Sequence, residues 1–245
     1  YLKTSTINYL KNEFKYFNRD TVPFLNEVVT TNPPEPIKPS YHSSELVDKL
    51  INQYNKQKEG DNLTTFLLDN FTFDEVDKAI SNYYLTGTNL CWSKEQIRGA
   101  KIMLYNERTG KRVKEPYNHI NWLHKAIKEP NFNLCQCLFG LHLIKEEYQK
   151  EIAIVESEKT AITMSIYVPD YIWLATGSSG NFKYELLKPL KKRNCFAFPD
   201  NGEFANWSNK AKELKNKGFK IEVSNILEQS KFKKGFDLAD YYFNS

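Results

Sequence analysis

The sequence predicts an α/β protein, a mainly parallel sheet flanked by helices and preceded by a smaller mixed α+β region. Three observations carry this. Short apolar runs stand at Ile152–Val155, Tyr171–Ala175 and Cys195–Phe198, and segments of helical periodicity separate them. Strands alternating with helices give parallel pairing, and parallel strands are covered on both faces, so they read as unbroken apolar runs. Third, 245 residues that are 40% hydrophobic and 14% aromatic suffice for a sizeable core. No apolar run approaches the roughly 18 residues of a membrane span.

Taken in order, residues 1–30 read as irregular to helical, with Leu10, Phe14 and Phe17 at helical spacing. The window 32–39 holds four prolines, which exclude helix and central strand, so 1–40 is an extension ending in an extended linker. The region 41–148 opens with a helix over 43–57, capped by Ser43 or Ser44, with Leu46, Leu50, Ile51 and Tyr54 as its buried stripe. A helix over 63–70 follows, and Thr72-Phe-Asp-Glu75 is a capping box opening another through Tyr84. Residues 100–105 read as a strand, 106–110 as a turn and 111–114 as its return strand, a hairpin with a basic tip. In the region 149–245 the strand 152–155 leads to a helix from about Lys159. The strand 171–175 ends in Thr176-Gly-Ser-Ser-Gly180, and the strand 195–198 precedes a helix over 203–217 with Phe204, Trp207, Ala211 and Leu214 on one face. Phe219–Val223 alternates as a half-buried strand.

Charge excludes little. Thirty-four Lys and Arg against 30 Asp and Glu leave +4, and 29 of the bases are Lys. With 24 Asn, this is the composition of AT-rich coding sequence. The bases cluster at 98–128 and 188–193. Cys91, Cys135, Cys137 and Cys195 follow neither zinc-ligand spacing nor a dense disulfide framework, so free thiols in a reducing cytoplasm are expected. No signal peptide is visible. The chain opens on Tyr1 rather than Met, which predicts a piece of a longer protein.

Acids collect where an open parallel sheet binds ligands, beyond the carboxyl ends of its strands. Glu156 follows the first strand, Asp200 the third, and Asp237 and Asp240 lie near the C-terminus. Such carboxylates can converge on one cation, and Mg2+ takes oxygen ligands of this kind. The simpler alternatives are that Asp200 and Glu156 cap the helices that follow them, and that Asp237 and Asp240 are a solvated helix face. Lys159, three residues after Glu156, either meets a phosphate or pairs with that acid. The 176–180 loop is either a phosphate nest or an ordinary strand end. Nucleic-acid contacts are expected from Arg98, Lys101, Arg108, Arg112 and Lys114, from the His119–Trp122–His124–Lys125 group, and from Lys159.

Ile154-Val-Glu-Ser-Glu-Lys-Thr-Ala161, Phe198-Pro-Asp-Asn-Gly202 and Lys234-Gly-Phe-Asp-Leu-Ala-Asp240 together resemble the Toprim domain. More narrowly, they resemble the primase-like Toprim proteins of bacterial mobile elements, including uncharacterised toprim-like proteins of Bacteroidetes. Phe139-Gly-Leu-His142 is similar to the sequence joining the two parts of the bacterial primase core. The likeness spans roughly 40–243 and is strongest over 138–243. It implies that Glu156 is the catalytic glutamate and general acid/base. It further implies that Asp200 is the first acid of an Asp-x-Asp pair, and that Asp237 or Asp240 completes a site for Mg2+ or Mn2+. Gly202 stands where the second acid of the pair is expected, which removes a ligand and weakens metal binding. The implied activity is metal-dependent nucleotidyl transfer in replication of a mobile element, in the cytoplasm and away from membranes. Single-stranded DNA is the implied partner, with a helicase or other replication protein. Two alternatives stay open: a catalytically degenerate module that binds single-stranded nucleic acid, and a Toprim-type nuclease.

Overall fold

The structure, a computed structural model, describes residues 38–56, 61–85, 89–93 and 96–244. The expected extension and proline linker lie outside the described residues, except for 38–40. Everything from Pro39 onward forms one compact unit. The regions 41–148 and 149–245 share a main core that runs from Leu63 to Leu238, beside a smaller cluster of Ile97, Ala100 and Leu123.

The helices before the first sheet are α1 (Ser44–Lys56), α2 (Asn62–Leu68) and α3 (Phe73–Tyr83). Leu46 and Leu50 of α1 pack on Ile97, Ala100 and Leu123; the side chains of Ile51 and Tyr54 lie outside the described residues. Asp61 caps α2, its carboxylate accepting from Leu63 and Thr64. At α3 the Glu75 carboxylate accepts from the Thr72 N–H at 3.0 Å and the Thr72 hydroxyl at 2.7 Å, as the capping-box reading predicts.

The first sheet is antiparallel, in the order β1 (Asn89–Ser93), β2 (Gln96–Met103), β3 (Ile120–Trp122). It corrects two expectations. The strand begins at Gln96, not Ala100, and its ladder partners are β1 and β3 rather than 111–114. The hairpin survives as a narrow extension: Tyr105 bridges Arg112, and Asn106 N donates to Lys111 O at 2.8 Å. The Asn106 side chain accepts from the Arg108 and Thr109 amides, each at 3.0 Å, which folds the tip without a second strand. Gly110, at φ +61°, presses on Phe66 of α2; a Cβ there would lie 2.5 Å from the ring. This contact seats the basic tip.

Helices α4 (Leu123–Ala126) and α5 (Leu143–Glu146) lead to the parallel sheet, ordered β5-β4-β6-β7. Its strands are β4 (Glu151–Val155), β5 (Tyr171–Ala175), β6 (Asn194–Ala197) and β7 (Lys220–Val223). In register, Ile152 faces Ile172 on one side and Cys195 on the other. Helix α6 (Glu158–Tyr167) is buried from Glu158 to Met164, because α3 and α9 (Leu238–Phe243) cover the side turned away from the sheet. Residues 179–181 and 188–190 are single 3-10 turns flanking α7 (Tyr184–Leu187). Helix α8 (Phe204–Asn216) buries Trp207, Ala211 and Leu214, the face its periodicity predicts, and Trp207 stacks on Phe182 with ring centres 4.2 Å apart. Phe139 exchanges backbone hydrogen bonds with Ala175 and stacks on Tyr83, joining the two halves of the unit at the end of β5.

Candidate functional site

Parallel register decides which acids meet. β4 and β6 are neighbours with Ile154 opposite Ala197, so the residues leaving their carboxyl ends, Glu156 and Asp200, emerge side by side. Neither caps a helix: Ser157 caps α6, and Glu203 precedes α8. The third motif arrives by a different device. The Asn201 side chain donates to Phe232 O at 2.8 Å and Lys233 O at 3.2 Å, and Asn201 and Phe236 are bonded through their backbones. This clamp carries the 232–237 segment to the sheet edge, where Asp237 becomes the N-cap of α9 and accepts from the Asp240 amide at 2.9 Å. The alternative of a solvated helix face does not hold: Asp237 and Asp240 are a capping pair that lines the cleft. Sequence reasoning missed Asn201, for which its place between Asp200 and Gly202 was the available signal.

The cleft has a volume of ≈ 470 Å³ and is lined by Glu156, Asp200, Glu203, Asp237 and Asp240, and by Lys111, Arg112, Lys114, Lys159 and Lys234. Five acids therefore face five bases. The structure joins the four predicted acids to Arg112, Lys114 and Lys159 of the predicted contacts. Lys159 is buried and pairs with Asp237 at 3.0 Å, with Asp240 at 3.9 Å, rather than with Glu156. Lys111 reaches Asp240 at 3.6 Å from the hairpin.

Asp200 is the acid left over. Among the described residues its carboxyl makes no hydrogen bond and no ion pair. Burial, with Glu156, Asp237 and Asp240 nearby, pushes its pKa up to about 8 against the pull of Lys159. Burial also raises Glu156, and the charge of Glu203 adds to it; the Ser179 N–H and Arg112 oppose the rise. Among the described residues neither acid of the pair has an ion-pair partner. Among the described residues no three His, Cys, Asp or Glu side chains are disposed to grip one ion. Glu156 and Asp200 are carboxylate oxygen donors, the ligand type of a hard cation.

The remaining predicted contacts lie elsewhere. Lys101 is buried, its ammonium committed to Glu158 at 2.9 Å and to the Gly177 carbonyl at 3.4 Å. Arg98 is half-buried and donates to Cys135 Sγ at 3.6 Å. His124 is buried against Phe132, with rings 4.7 Å apart, and burial lowers its pKa. His119 lies over Tyr117, Trp122 is half-buried, and Arg108 and Lys125 are exposed. The group around Trp122 is therefore not one continuous basic and aromatic surface. Cys137 and Cys195 are buried and Cys135 is half-buried, and among the described residues none of the three forms a disulfide.

Among the described residues no helix is long and apolar enough to cross a membrane. No curated protein matches the chain. One family does, over a span that takes in Glu156 and Asp200 and stops before Asp237: the family described as "Domain of unknown function (DUF6371)" matches residues 61–201, more than half of the chain, and the protein belongs to it.

Proposed function

We propose that the cleft is a Toprim-like phosphoryl-transfer centre acting on single-stranded nucleic acid, and that its reaction is primase-like nucleotidyl transfer. The observation that supports this best is the meeting of Glu156 and an unpartnered Asp200 with a basic hairpin across one cleft. Glu156 and Asp200 would hold Mg2+ or Mn2+, which supplies charge neutralisation at the reacting phosphate. Glu156 would accept a proton from the attacking hydroxyl. Arg112 and Lys114 hold the strand by its phosphates, and Lys159 keeps Asp237 and Asp240 in place. Replication of a mobile element in the cytoplasm, beside a helicase, is the setting this reading carries with it.

Template-directed primer synthesis with labelled nucleotides, with Mg2+ and then Mn2+, tests the reading. Product that disappears in Glu156→Gln and Asp200→Asn supports it, and no product from the full chain with either metal refutes it. Metal-dependent loss of the template instead would make the protein a nuclease.

A second reading is favoured by Lys159. Its buried ammonium already neutralises Asp237, and Gly202 withholds a further carboxylate. On this reading the protein binds single-stranded nucleic acid without transforming it. Binding that persists in EDTA and in Glu156→Gln, without product, would select it.

A further inference from the structure

The loop Thr176–Asn181 has two sides. Ser179 faces the acidic cleft, whereas Gly177, Ser178 and Asn181 face a second cavity of ≈ 220 Å³. The floor of that cavity is Phe139 and Ala175, and Trp122 forms part of its wall. The volume is below the roughly 300–1,000 Å³ of pockets for drug-sized ligands, which suits one ring system rather than a whole nucleotide.

The wall is electrically balanced. Lys101 and Glu158 form a buried pair there, with Lys101 also bonded to the Gly177 carbonyl, so neither charge is available to a phosphate. At the rim, the Asn181 amide donates to Gln136 Oε1 at 3.0 Å and to the Thr176 carbonyl at 3.1 Å. This leaves the Gln136 amide N–H groups and Asn181 Oδ1 without a partner among the described residues. A donor and an acceptor therefore stand side by side above an apolar floor, next to a half-exposed indole. An uncharged, planar ring with a hydrogen-bonding edge satisfies all three. Phosphate can use the Gln136 donor but neither the Asn181 acceptor nor the apolar floor.

We infer that this cavity receives a nucleobase, stacked on Trp122 and read at its edge by Gln136 and Asn181. Its sugar and phosphates cross the Thr176–Asn181 loop into the acidic cleft. The choice of a nucleobase rests on the phosphoryl-transfer reading of that cleft. The base belongs either to a free nucleotide or to a strand.

Calorimetric titration of the full chain in Mg2+ tests it, with a nucleoside triphosphate, a short single-stranded oligonucleotide and inorganic tripolyphosphate as probes. Trp122→Ala should weaken a base-bearing probe about 5- to 150-fold, the range of one base–aromatic stack, and leave tripolyphosphate unchanged. Gln136 is exposed, so Gln136→Ala keeps the fold, and it should weaken the same probe about 2- to 12-fold. Trp122→Phe should restore most of the affinity. Which probe responds identifies the source of the base, and either response supports the proposal. Unchanged affinity in both variants, a parallel fall for tripolyphosphate, or no binding of either base-bearing probe would overturn it. Trp122-dependent binding in a protein that makes no primer would refute the catalytic reading alone. Primer synthesis indifferent to Trp122 and Gln136 would refute the base pocket alone.

Discussion

Asp200→Asn should stabilise the protein, and only above a defined pH. The carboxyl ordinarily titrates at 3.8 and is pushed up to about 8 in the folded chain. The folded state therefore binds this proton more tightly than the unfolded state. The stability it contributes is complete below pH 4 and is lost as pH rises towards 8. At about 1.36 kcal/mol per tenfold change, the full difference corresponds to roughly 6 kcal/mol. Asp200 is only partly shielded, and screening by water brings the measurable share to about 2 kcal/mol. Asparagine keeps the shape and removes the charge. Urea unfolding of both proteins from pH 4 to pH 9 should give matching stabilities at the acid end. A gap favouring the variant should open through neutrality and flatten near pH 8. Mg2+ should close that gap by stabilising wild type alone, because a ligand stabilises only the state it binds. A gap independent of pH, or one favouring wild type without metal, would refute the argument that Asp200 is an uncompensated acid.

Three further outcomes follow from the same geometry. Glu158→Gln, which strands the buried Lys101, should cost about 3–5 kcal/mol in urea unfolding, while Lys101→Met with Glu158→Leu should recover most of it. Arg112→Ala and Lys114→Ala, both exposed, should each lower the salt slope of single-strand binding by about 0.7 for every phosphate no longer neutralised, in a titration followed by fluorescence anisotropy. Gly202→Asp should lower the melting temperature and yield no gain in primer synthesis, since Gly202 sits at φ +94°, where a side chain is strained.

The sheet was legible because burial on both faces leaves runs such as Ile152–Val155 with no polar residue to misread. The acids were legible because a parallel sheet sends its ligands to one edge. What escaped detection depends on pairing at a distance. β2 reads as half of a hairpin because 89–93, just upstream, carries little alternation and 120–122 is remote and only three residues long. Lys101 and His124 read as surface because a charged or polar residue gives no sign of a buried partner, here Glu158 and Phe132. Arg193, counted in a basic cluster, spends its guanidinium on the Ile144 and Lys150 carbonyls. The segregation of charge thus holds for the cleft, with hairpin bases facing sheet-edge acids, and not for every cluster along the chain.

Gly202 changes in meaning once its surroundings are known. Read in the sequence it is a missing acid. In the fold it is a turn residue whose N–H donates to the Glu228 carboxylate at 3.1 Å, beside an Asn201 that clamps the 232–236 segment. The backbone there is shaped to hold that segment, which delivers Asp237 to the cleft. The position that would carry a second strand-end acid is used to bring in an acid from α9 instead, and Lys159 neutralises the newcomer at 3.0 Å. The cleft consequently leaves the carboxyls of Glu156 and Asp200 near the sheet without an ion-pair partner among the described residues and pairs Asp237 with Lys159. On the proposed reading those two carboxylates would hold the cation. Whether it binds is decided by how far Asp200 can ionise, and that links the pH dependence of stability to the pH dependence of any metal-dependent reaction.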